Sequence, residues 1–428
     1  MNKLTFVFLL LLSGTVFGQK QLDVISMEET RRIEATLSSD EMQCRRTFTP
    51  GIEKAATFIA SEFEKIGLKK WNNGNSFLQS FAMIRPKTTS VMATINDNTI
   101  DAKKISISSV EKSININEKS GYEIASIARG ANFVNEWRKL LSSTKNTIAF
   151  VDTTHAAIFS RVTQRGGQFY PGQPSVIFVL QNEKPSSFSI EATQEITEMP
   201  LANVVGVLPG KSKANEYVIF SGHYDHLGIN SRNMQNNDSI YNGANDDAAG
   251  TTAMIMLAKY YKALNQNERT LIFAAFTAEE IGGFGATYFS KQFDPAKVMA
   301  MFNIEMIGTE SKWGKNSAYI TGFDKTNMGE ILQKNLEGTS FMFHPDPYPD
   351  QQLFYRSDNA TLARLGVPAH TISTAKMDQE PHYHKASDEI GTLDMDNMAA
   401  IIRAIALSAR GIVAGKETPT RVDTSSLR

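Results

Sequence analysis

The chain has 428 residues, of which 41% are hydrophobic and 21% are charged, and these ordinary values exclude wholesale disorder. Lysine and arginine number 44 against 45 aspartates and glutamates, so the sequence lacks the overall basic excess that is typical of nucleic-acid-binding proteins. Cys44 is the only cysteine, which excludes intramolecular disulfides and cysteine-rich zinc sites. A chain of this length is expected to form two domains rather than one.

Residues 1–18, MNKLTFVFLLLLSGTVFG, have the pattern of a secretory signal peptide. Lys3 gives a short positive start, an apolar run follows, and small residues precede Gln19. The run is shorter than the roughly 20 residues that a membrane-spanning helix needs, and no later stretch is long enough. We expect a cleaved signal and a secreted or periplasmic protein without stable membrane insertion. An uncleaved N-terminal anchor is the competing interpretation.

Two helices are predicted in the next segment, residues 19–84. Ser26 is a good N-cap for a helix over Met27–Leu37, with Glu29 three residues further on. Apolar residues recur at helical spacing over Glu53–Ile66, and Gly67 follows as a helix terminator.

The pattern changes at about residue 85, where short alternating runs separated by turn residues predict a small β-rich domain over 85–198. One helix is predicted within it, at Ala131–Leu141. The predicted strands are Ser90–Ile95, Lys104–Ile107, Thr147–Val151 and Val176–Leu180.

Apolar strands alternate with helical patterns over 199–415, which predicts an α/β fold with a mostly parallel mixed sheet flanked by helices. A polar tail follows at 416–428. The predicted strands are Asn203–Leu208, Tyr217–Ser221, Leu271–Phe276, Met299–Ile304 and Val367–Ile372, and the predicted helices are Ala248–Leu264, Thr326–Leu336, Asn359–Leu365 and Met395–Val413.

Histidines and carboxylates follow the ends of these strands. Because ligands bind beyond the carboxyl ends of the strands in open α/β sheets, we expect these side chains to meet at one edge. The segments that carry them are His223–His226, Asp246–Asp247, Glu279–Glu280, Glu305 and His382–His384. Taken singly, each has a plain structural explanation, such as a helix N-cap at Asp246 or Asp247.

Imidazole and carboxylate ligands without thiolate suit a hydrolytic zinc site, with cobalt or manganese also possible. Two histidines and three carboxylates exceed what one open catalytic zinc requires, so two metals that share a bridging carboxylate are predicted. His223 and Asp225 project from the same side of an extended chain, which predicts that the Asp225 carboxylate accepts a hydrogen bond from His223. The neighbours Glu279 and Glu280 point in opposite directions, so that one binds metal and the other acts as the general base.

The sequence resembles the M28 family of zinc peptidases, the co-catalytic aminopeptidases, from Asn203 to Val413. The matching segments are SGHYDHLG (Ser221–Gly228), NGANDDAAG (Asn242–Gly250), FTAEEIGGFGA (Phe276–Ala286), NIEMIG (Asn303–Gly308) and YHKASDE (Tyr383–Glu389). The predicted helices in 19–84 fit the start of that catalytic domain. The position and texture of 85–198 resemble the protease-associated domain that several members carry as an insertion.

The resemblance implies two zinc ions per chain. It implies five metal ligands, with His223 and Glu305 on one zinc, Glu280 and His384 on the other, and Asp246 bridging both. Further implied roles are the general base for Glu279, support of the ligands for Asp225 and Asp247, and stabilisation of the oxyanion for Tyr383. His226 and His382 are interpreted as rim or structural residues.

Two positions depart from the family pattern. Glu305 stands where many members have aspartate, which puts the geometry of that metal in question. The Ser-Asp-His element of the family appears here as Ser357-Asp358-Asn359.

The expected activity is removal of N-terminal residues from peptides by attack of a metal-activated water on the first peptide bond. The site segments before residue 310 contain no arginine or lysine to clamp a terminal carboxylate, which favours the N-terminus. Arg356 and Lys385 keep a carboxypeptidase or dipeptidase on the same scaffold open. A glutaminyl cyclase-like acyltransferase with a single zinc and a non-catalytic binding protein are also compatible with the sequence. Peptides are the expected partners, and the oligomeric state is left open.

Overall fold

A computed structural model describes residues 22–163, 167–232, 234 and 237–427. The predicted signal peptide lies outside these residues. The chain divides into two compact units, of which one is Phe81–Pro200 and the other combines the described residues up to Ser80 with those from Leu201 onward. Within the described residues, no helix combines the length and the apolar character that crossing a bilayer would take.

Capping residues mark ends of both N-terminal helices. Helix α1 is Met27–Leu37, and the backbone N–H of Glu29 donates to the Ser26 hydroxyl at 3.1 Å, as expected for the predicted cap. Helix α2, Pro50–Ile66, begins three residues before the predicted start. Its first residue is a proline, which is tolerated there because the first helical N–H has no partner in the helix. Gly67 ends it with φ 77°, and the short strand β1, Lys69–Lys70, follows.

The elements between residues 78 and 208 are β2 Leu78–Ile95, β3 Asn98–Thr99, β4 Ile105–Ser108, β5 Ser113–Asn117, β6 Glu123–Ile127, α3 Phe133–Leu141, β7 Thr147–Val151, α4 Ala156–Thr163, β8 Val176–Leu180 and β9 Phe188–Leu208. Within the unit Phe81–Pro200, a four-stranded sheet has the order β4-β8-β7-β6, with helices on one face. Strands β8, β7 and β6 are parallel, and β4 is antiparallel to β8. The ring of Trp137 in α3 stacks on the ring of Phe178 in β8, with 3.7 Å between their centroids. Helix α4, for which the sequence gives no prediction, adds Phe159 to this core.

The remaining elements belong to the unit that combines the described residues up to Ser80 with those from Leu201 onward. The strands are β10 Lys213–His223, β11 Gly228–Ile229, β12 Ile240–Tyr241, β13 Arg269–Phe276, β14 Val298–Ile304, β15 Ser317–Ile320, β16 Met342–Pro345 and β17 Ala369–Ser373. The helices are α5 Ala249–Leu264, α6 Phe284–Ser290, α7 Met328–Lys334, α8 Asn359–Ala363, α9 Met395–Ser408 and α10 Arg410–Val413.

The sheet of this unit has the order β16-β15-β17-β14-β10-β13-β9. Strand β10 is parallel to both β13 and β14, β14 is parallel to β17, and β9 and β15 add antiparallel pairs. Buried apolar clusters cover both faces, so the predicted α/β class with a mostly parallel mixed sheet is confirmed. Because β10, β13 and β14 run in the same direction, the residues after their carboxyl ends share one edge.

Candidate metal centre

The central strands end at the same level of the sheet. His223, the last residue of β10, pairs with Phe276, the last residue of β13, and Ser221 pairs with Asn303 of β14. Glu279 and Glu280 follow β13, and Glu305 follows β14 directly. The parallel register therefore brings residues that are far apart in the sequence to one edge.

Asp246 lies at the centre of this cluster. Its Oδ1 is 3.2 Å from Nε2 of His223, and its Oδ2 is 3.3 Å from Nε2 of His384. Although burial opposes ionisation, the two imidazole rings lower the pKa of the Asp246 carboxyl. The carboxylate of Asp388 accepts the backbone N–H groups of Asn245 and Asp246 at 2.8 and 3.0 Å, which fixes the segment before α5.

Two groups of ligand atoms share Asp246. One group consists of His223, Asp246 and Glu305, and the other of His226, Asp246 and Glu280, with the atoms of each group within 4.8 Å of one another. His384 joins the second group through its Nε2, which is 3.3 Å from Oε2 of Glu280. The structure thus brings all five predicted ligands together.

Three buried atoms of the cluster form no hydrogen bond among the described residues: Nε2 of His223, although it lies 3.2 Å from Oδ1 of Asp246, Nε2 of His226 and Oε2 of Glu305. Buried polar atoms are ordinarily paired, so these orphaned atoms fit a site whose ligand is a metal ion. The glutamate at 305 reaches the cluster in spite of its extra methylene group.

His226 lies in the cluster itself, whereas the sequence pattern favoured a rim or structural role for it. Its side chain is fully buried, and Nδ1 is 2.8 Å from Oε1 of Glu280. The signal in the sequence is its place in the same segment as His223, just past the end of β10. His382 is only half-buried, and its Nδ1 pairs with the hydroxyl of Ser387 at 3.0 Å.

The prediction that the Asp225 carboxylate accepts from His223 is wrong. Nδ1 of His223 is 3.1 Å from the backbone oxygen of Asp225 and 3.8 Å from its Oδ1. The carboxylate accepts instead from the backbone N–H groups of Glu279 at 3.0 Å and Glu280 at 3.3 Å, and from the hydroxyl of Thr47. A fully buried carboxylate needs donors, and the turn after β13 supplies them. Asp225 therefore orients the two glutamates through their backbone.

Asp247 connects three segments of the site. Its Oδ2 accepts the N–H of His223 at 3.2 Å, and its Oδ1 accepts those of Gly250 and Met306 at 2.9 and 3.1 Å. Residue 250 must be glycine for this arrangement, since a Cβ there would lie 2.0 Å from the carbonyl oxygen of Ile304.

A cavity opens beside the cluster. Glu279 lines it, and burial together with the neighbouring carboxylates raises the pKa of Glu279 well above its usual value. Tyr383 also lines the cavity, and its ring stacks on the His384 ring with 3.9 Å between the ring centroids. Burial raises the pKa of the Tyr383 hydroxyl. The other lining residues are Asp246, Glu280, Glu305, Met306, Tyr319, Thr321, Leu353, Arg356, Ser357, Thr371, Ser373, Met377 and His384.

Asn359, which stands in place of the family histidine, is buried behind this cavity. Its amide Nδ2 donates to the carbonyl oxygens of Phe354 and Ala369 at 3.0 and 3.3 Å, and its Oδ1 accepts from the hydroxyl of Thr371 at 2.8 Å. Asn359 therefore holds the loop that precedes it. The neighbouring Asp358 is also buried, and burial raises its pKa to about 8.

Comparison with known proteins identifies a family for the segment that carries these residues. Residues 203–409 match the model of peptidase family M28. A probable leucine aminopeptidase of Trichophyton verrucosum is 29% identical over 206 residues, which cover 46% of this chain and 53% of that protein. Aminopeptidase YwaD of Bacillus subtilis is 26% identical over 238 residues, 51% of this chain and 46% of that protein. The matches therefore span about half the length of these relatives.

Solved structures share the fold over most of the chain. BSAP, a zinc aminopeptidase from Bacillus subtilis, superposes with a TM-score of 0.55 at 16% identity and covers 92% of this chain and 97% of its own. A peptidase M28 precursor from Shewanella amazonensis gives a TM-score of 0.55 at 15% identity and covers 96% and 98%. At these identities the likeness establishes the fold.

Proposed function

Since residues 203–409 belong to peptidase family M28, we propose that the chain is a zinc-dependent aminopeptidase that removes N-terminal residues from peptides. The observation that carries the proposal is the pair of ligand groups that share Asp246 at the wall of the cavity. The zinc aminopeptidase and leucine aminopeptidase named among its relatives support the same activity.

Two zinc ions per chain fit the donor set. His223, Asp246 and Glu305 would hold one ion, and Asp246, Glu280 and His384 the other. These donors are imidazole nitrogens and carboxylate oxygens, which zinc accepts in catalytic sites. Bound zinc would supply a Lewis acid that polarises the scissile carbonyl and lowers the pKa of water. His226 donates to Glu280 and orients its second oxygen towards His384.

Glu279 is proposed as the general base. It accepts a proton from the attacking water and passes it to the leaving amine. Its side chain lines the cavity, and the Asp225 carboxylate, which accepts the backbone N–H of Glu279 at 3.0 Å, holds it in place. Tyr383 keeps its proton because its pKa is raised, and its O–H can donate to the oxyanion that develops at the carbonyl.

The acidic wall of the cavity supports recognition of the free N-terminus. Four carboxylates line it, from Asp246, Glu279, Glu280 and Glu305. Three of them would hold zinc, which offers a binding place for a neutral α-amine, and Glu279 remains as an acceptor. The sharing of Asp246 between two ligand groups favours the two-metal peptidase over a cyclase-like enzyme with a single zinc.

One hexapeptide in three forms tests the proposal: free, N-acetylated and C-amidated. We expect cleavage of the free and amidated forms, no cleavage of the acetylated form, and loss of activity with a chelator. Elemental analysis should find about two zinc equivalents in metal-replete protein. Cleavage of the acetylated form but not of the amidated form would establish a carboxypeptidase instead. One tightly held metal, unaffected by added zinc, would favour the cyclase-like enzyme.

A further inference from the structure

We propose that Arg356 binds a carboxylate group of the substrate and thereby directs the enzyme towards short peptides that bring a carboxylate into the cavity. This inference rests on the proposed function. Among the described residues that line the cavity, Arg356 is the only lysine or arginine, and four carboxylates line the same cavity.

The guanidinium of Arg356 has few partners of its own. Among the described residues, it donates one hydrogen bond, from Nη1 to the amide oxygen of Gln351 at 3.2 Å. No carboxylate of the described chain forms an ion pair with it. A guanidinium carries five N–H donors, so most of them remain available to a ligand. Arg269, by contrast, is buried and saturated by Glu216, Thr418 and two carbonyl oxygens.

The backbone of Arg356 is anchored beside the site. Its N–H donates to the carbonyl oxygen of Leu353 at 3.1 Å, and Asn359 holds the carbonyl oxygen of Phe354. The next residue, Ser357, accepts from Nδ2 of Asn303 at 2.7 Å. The backbone that carries Arg356 is therefore anchored beside the cavity, while its side chain is exposed.

An arginine suits a carboxylate ligand, because its planar guanidinium binds a carboxylate through two parallel hydrogen bonds. The three carboxylates assigned to zinc would have their charge compensated by the metal, so they leave room for an anionic group beside Arg356. The carboxylate has two sources, the α-carboxylate of a dipeptide or the side chain of an N-terminal Asp or Glu. Met306, Leu353 and Met377 give the cavity an apolar wall that suits an apolar N-terminal side chain. This favours the α-carboxylate of a dipeptide.

The test compares Leu-Leu with Leu-Leu-amide in the wild type, in Arg356→Gln and in Arg364→Gln. Arg364 is an exposed arginine on the same stretch of chain that does not line the cavity, which makes it a matched control. We expect kcat/KM to be about tenfold higher for the free dipeptide in the wild type and in Arg364→Gln. In Arg356→Gln the ratio should fall to about one, through KM. A second arm compares the p-nitroanilides of Glu and Gln, and an Arg356-dependent preference for Glu would assign the carboxylate to the side chain.

Measuring substrate binding without turnover distinguishes a failure of this inference from a failure of the proposed function. Calorimetry in a Glu279→Gln background gives the Kd of both dipeptides without turnover, and we expect the same tenfold preference, lost when Arg356→Gln is added. If the wild type hydrolyses none of these substrates, the proposed activity fails while the Kd values still report on Arg356. The inference would be overturned if the wild type showed equal kcat/KM for the charged and the neutral substrate of each pair. A preference for the charged substrate that persists in Arg356→Gln would overturn it as well.

Discussion

Glu279 and Glu280 are neighbours in the chain, but their carboxylates have different surroundings. The oxygens of Glu280 contact Nδ1 of His226 and Nε2 of His384. Glu279 lies at the cavity wall, where burial and other carboxylates raise its pKa. Both carboxylates line the cavity, but that of Glu280 is held by two imidazole groups, which leaves Glu279 for contact with a substrate.

This difference predicts different losses for two matched substitutions. Glu279→Gln should retain about two zinc equivalents and lose about 10²- to 10⁴-fold in kcat, as is typical when a general base is removed. Glu280→Gln should also lower zinc affinity, because an amide is a weaker ligand than a carboxylate. Elemental analysis and peptide hydrolysis on the same samples measure both effects. Activity of Glu279→Gln near the wild-type level would contradict its assignment as the base.

His226 makes a separate prediction. His226→Ala leaves Oε1 of Glu280 without its partner, so zinc affinity should fall about 10- to 100-fold, as for other groups that orient a metal ligand. Competition with a chromogenic chelator measures the change. His382→Ala is the control, since His382 bonds to Ser387 rather than to a ligand residue. If both variants bind zinc like the wild type, His226 does not support the metal centre.

At the scale of elements, Arg45 connects helix α1 to two loops of the site. The side chain is fully buried, and its guanidinium donates to four carbonyl oxygens, those of Leu37, Tyr224, Asn242 and Gly243. Tyr224 follows His223, and Gly243 precedes Asp246 by three residues. The two loops that carry these ligands are therefore fixed by one residue from the N-terminal segment.

Arg45→Met should unfold more easily, because several buried carbonyl groups lose their donors. We expect a loss of about 3 kcal/mol or more in the free energy of unfolding, measured with urea on metal-free protein. The neighbouring Arg46 is exposed, so Arg46→Met should change the stability by less than about 0.5 kcal/mol. Equal stability of the two variants would show that Arg45 does not organise these loops.

Glu34 of α1 adds a prediction about pH. It is buried against α5, where its Oε2 accepts from the hydroxyl of Thr252, and burial raises its pKa from 4.5 to about 8. Between these values the unfolded chain has lost the proton and the folded protein keeps it. Folding therefore binds a proton in this window, and the contribution of Glu34 to stability decreases as the pH rises, by roughly 1.4 kcal/mol per unit.

Glu34→Gln should remove this contribution. From pH 5 to pH 8, the free energy of unfolding of metal-free protein should fall less steeply in Glu34→Gln than in the wild type. The exposed Glu28→Gln on the same helix serves as the control and should follow the wild type. Parallel curves for all three proteins would mean that Glu34 is already ionised in the folded state at neutral pH.

At the scale of the whole molecule, we propose that the protein is exported and that its mature form begins at Gln19. The apolar run ends before the small residues that precede Gln19, as in cleaved signals. Intact mass of protein taken from the native envelope or medium should show the loss of residues 1–18. Recovery of full-length chain in the membrane fraction would support an uncleaved anchor instead.

Much of the fold and of the site was predictable from local sequence. Near-continuous apolar runs predicted β10, β13, β14 and β17 to within a few residues, since a strand buried on both faces leaves such a run. The short strands β15 and β16 and the helix α4 were not predicted. The two strands have four residues each and the helix has eight, which gives only about two periods of the pattern, and each depends on neighbours that pack against it.

For the site, the sequence alone was enough to identify the ligand residue types and their place after the strand ends, because both are local properties of five segments. The partners of each group were decided by tertiary structure. Asp225 bonds to the backbone after β13, His226 reaches Glu280, and Arg356 lines the cavity. These contacts join residues that lie far apart along the chain, and only the register of the strands and the packing of the loops bring them within bonding distance.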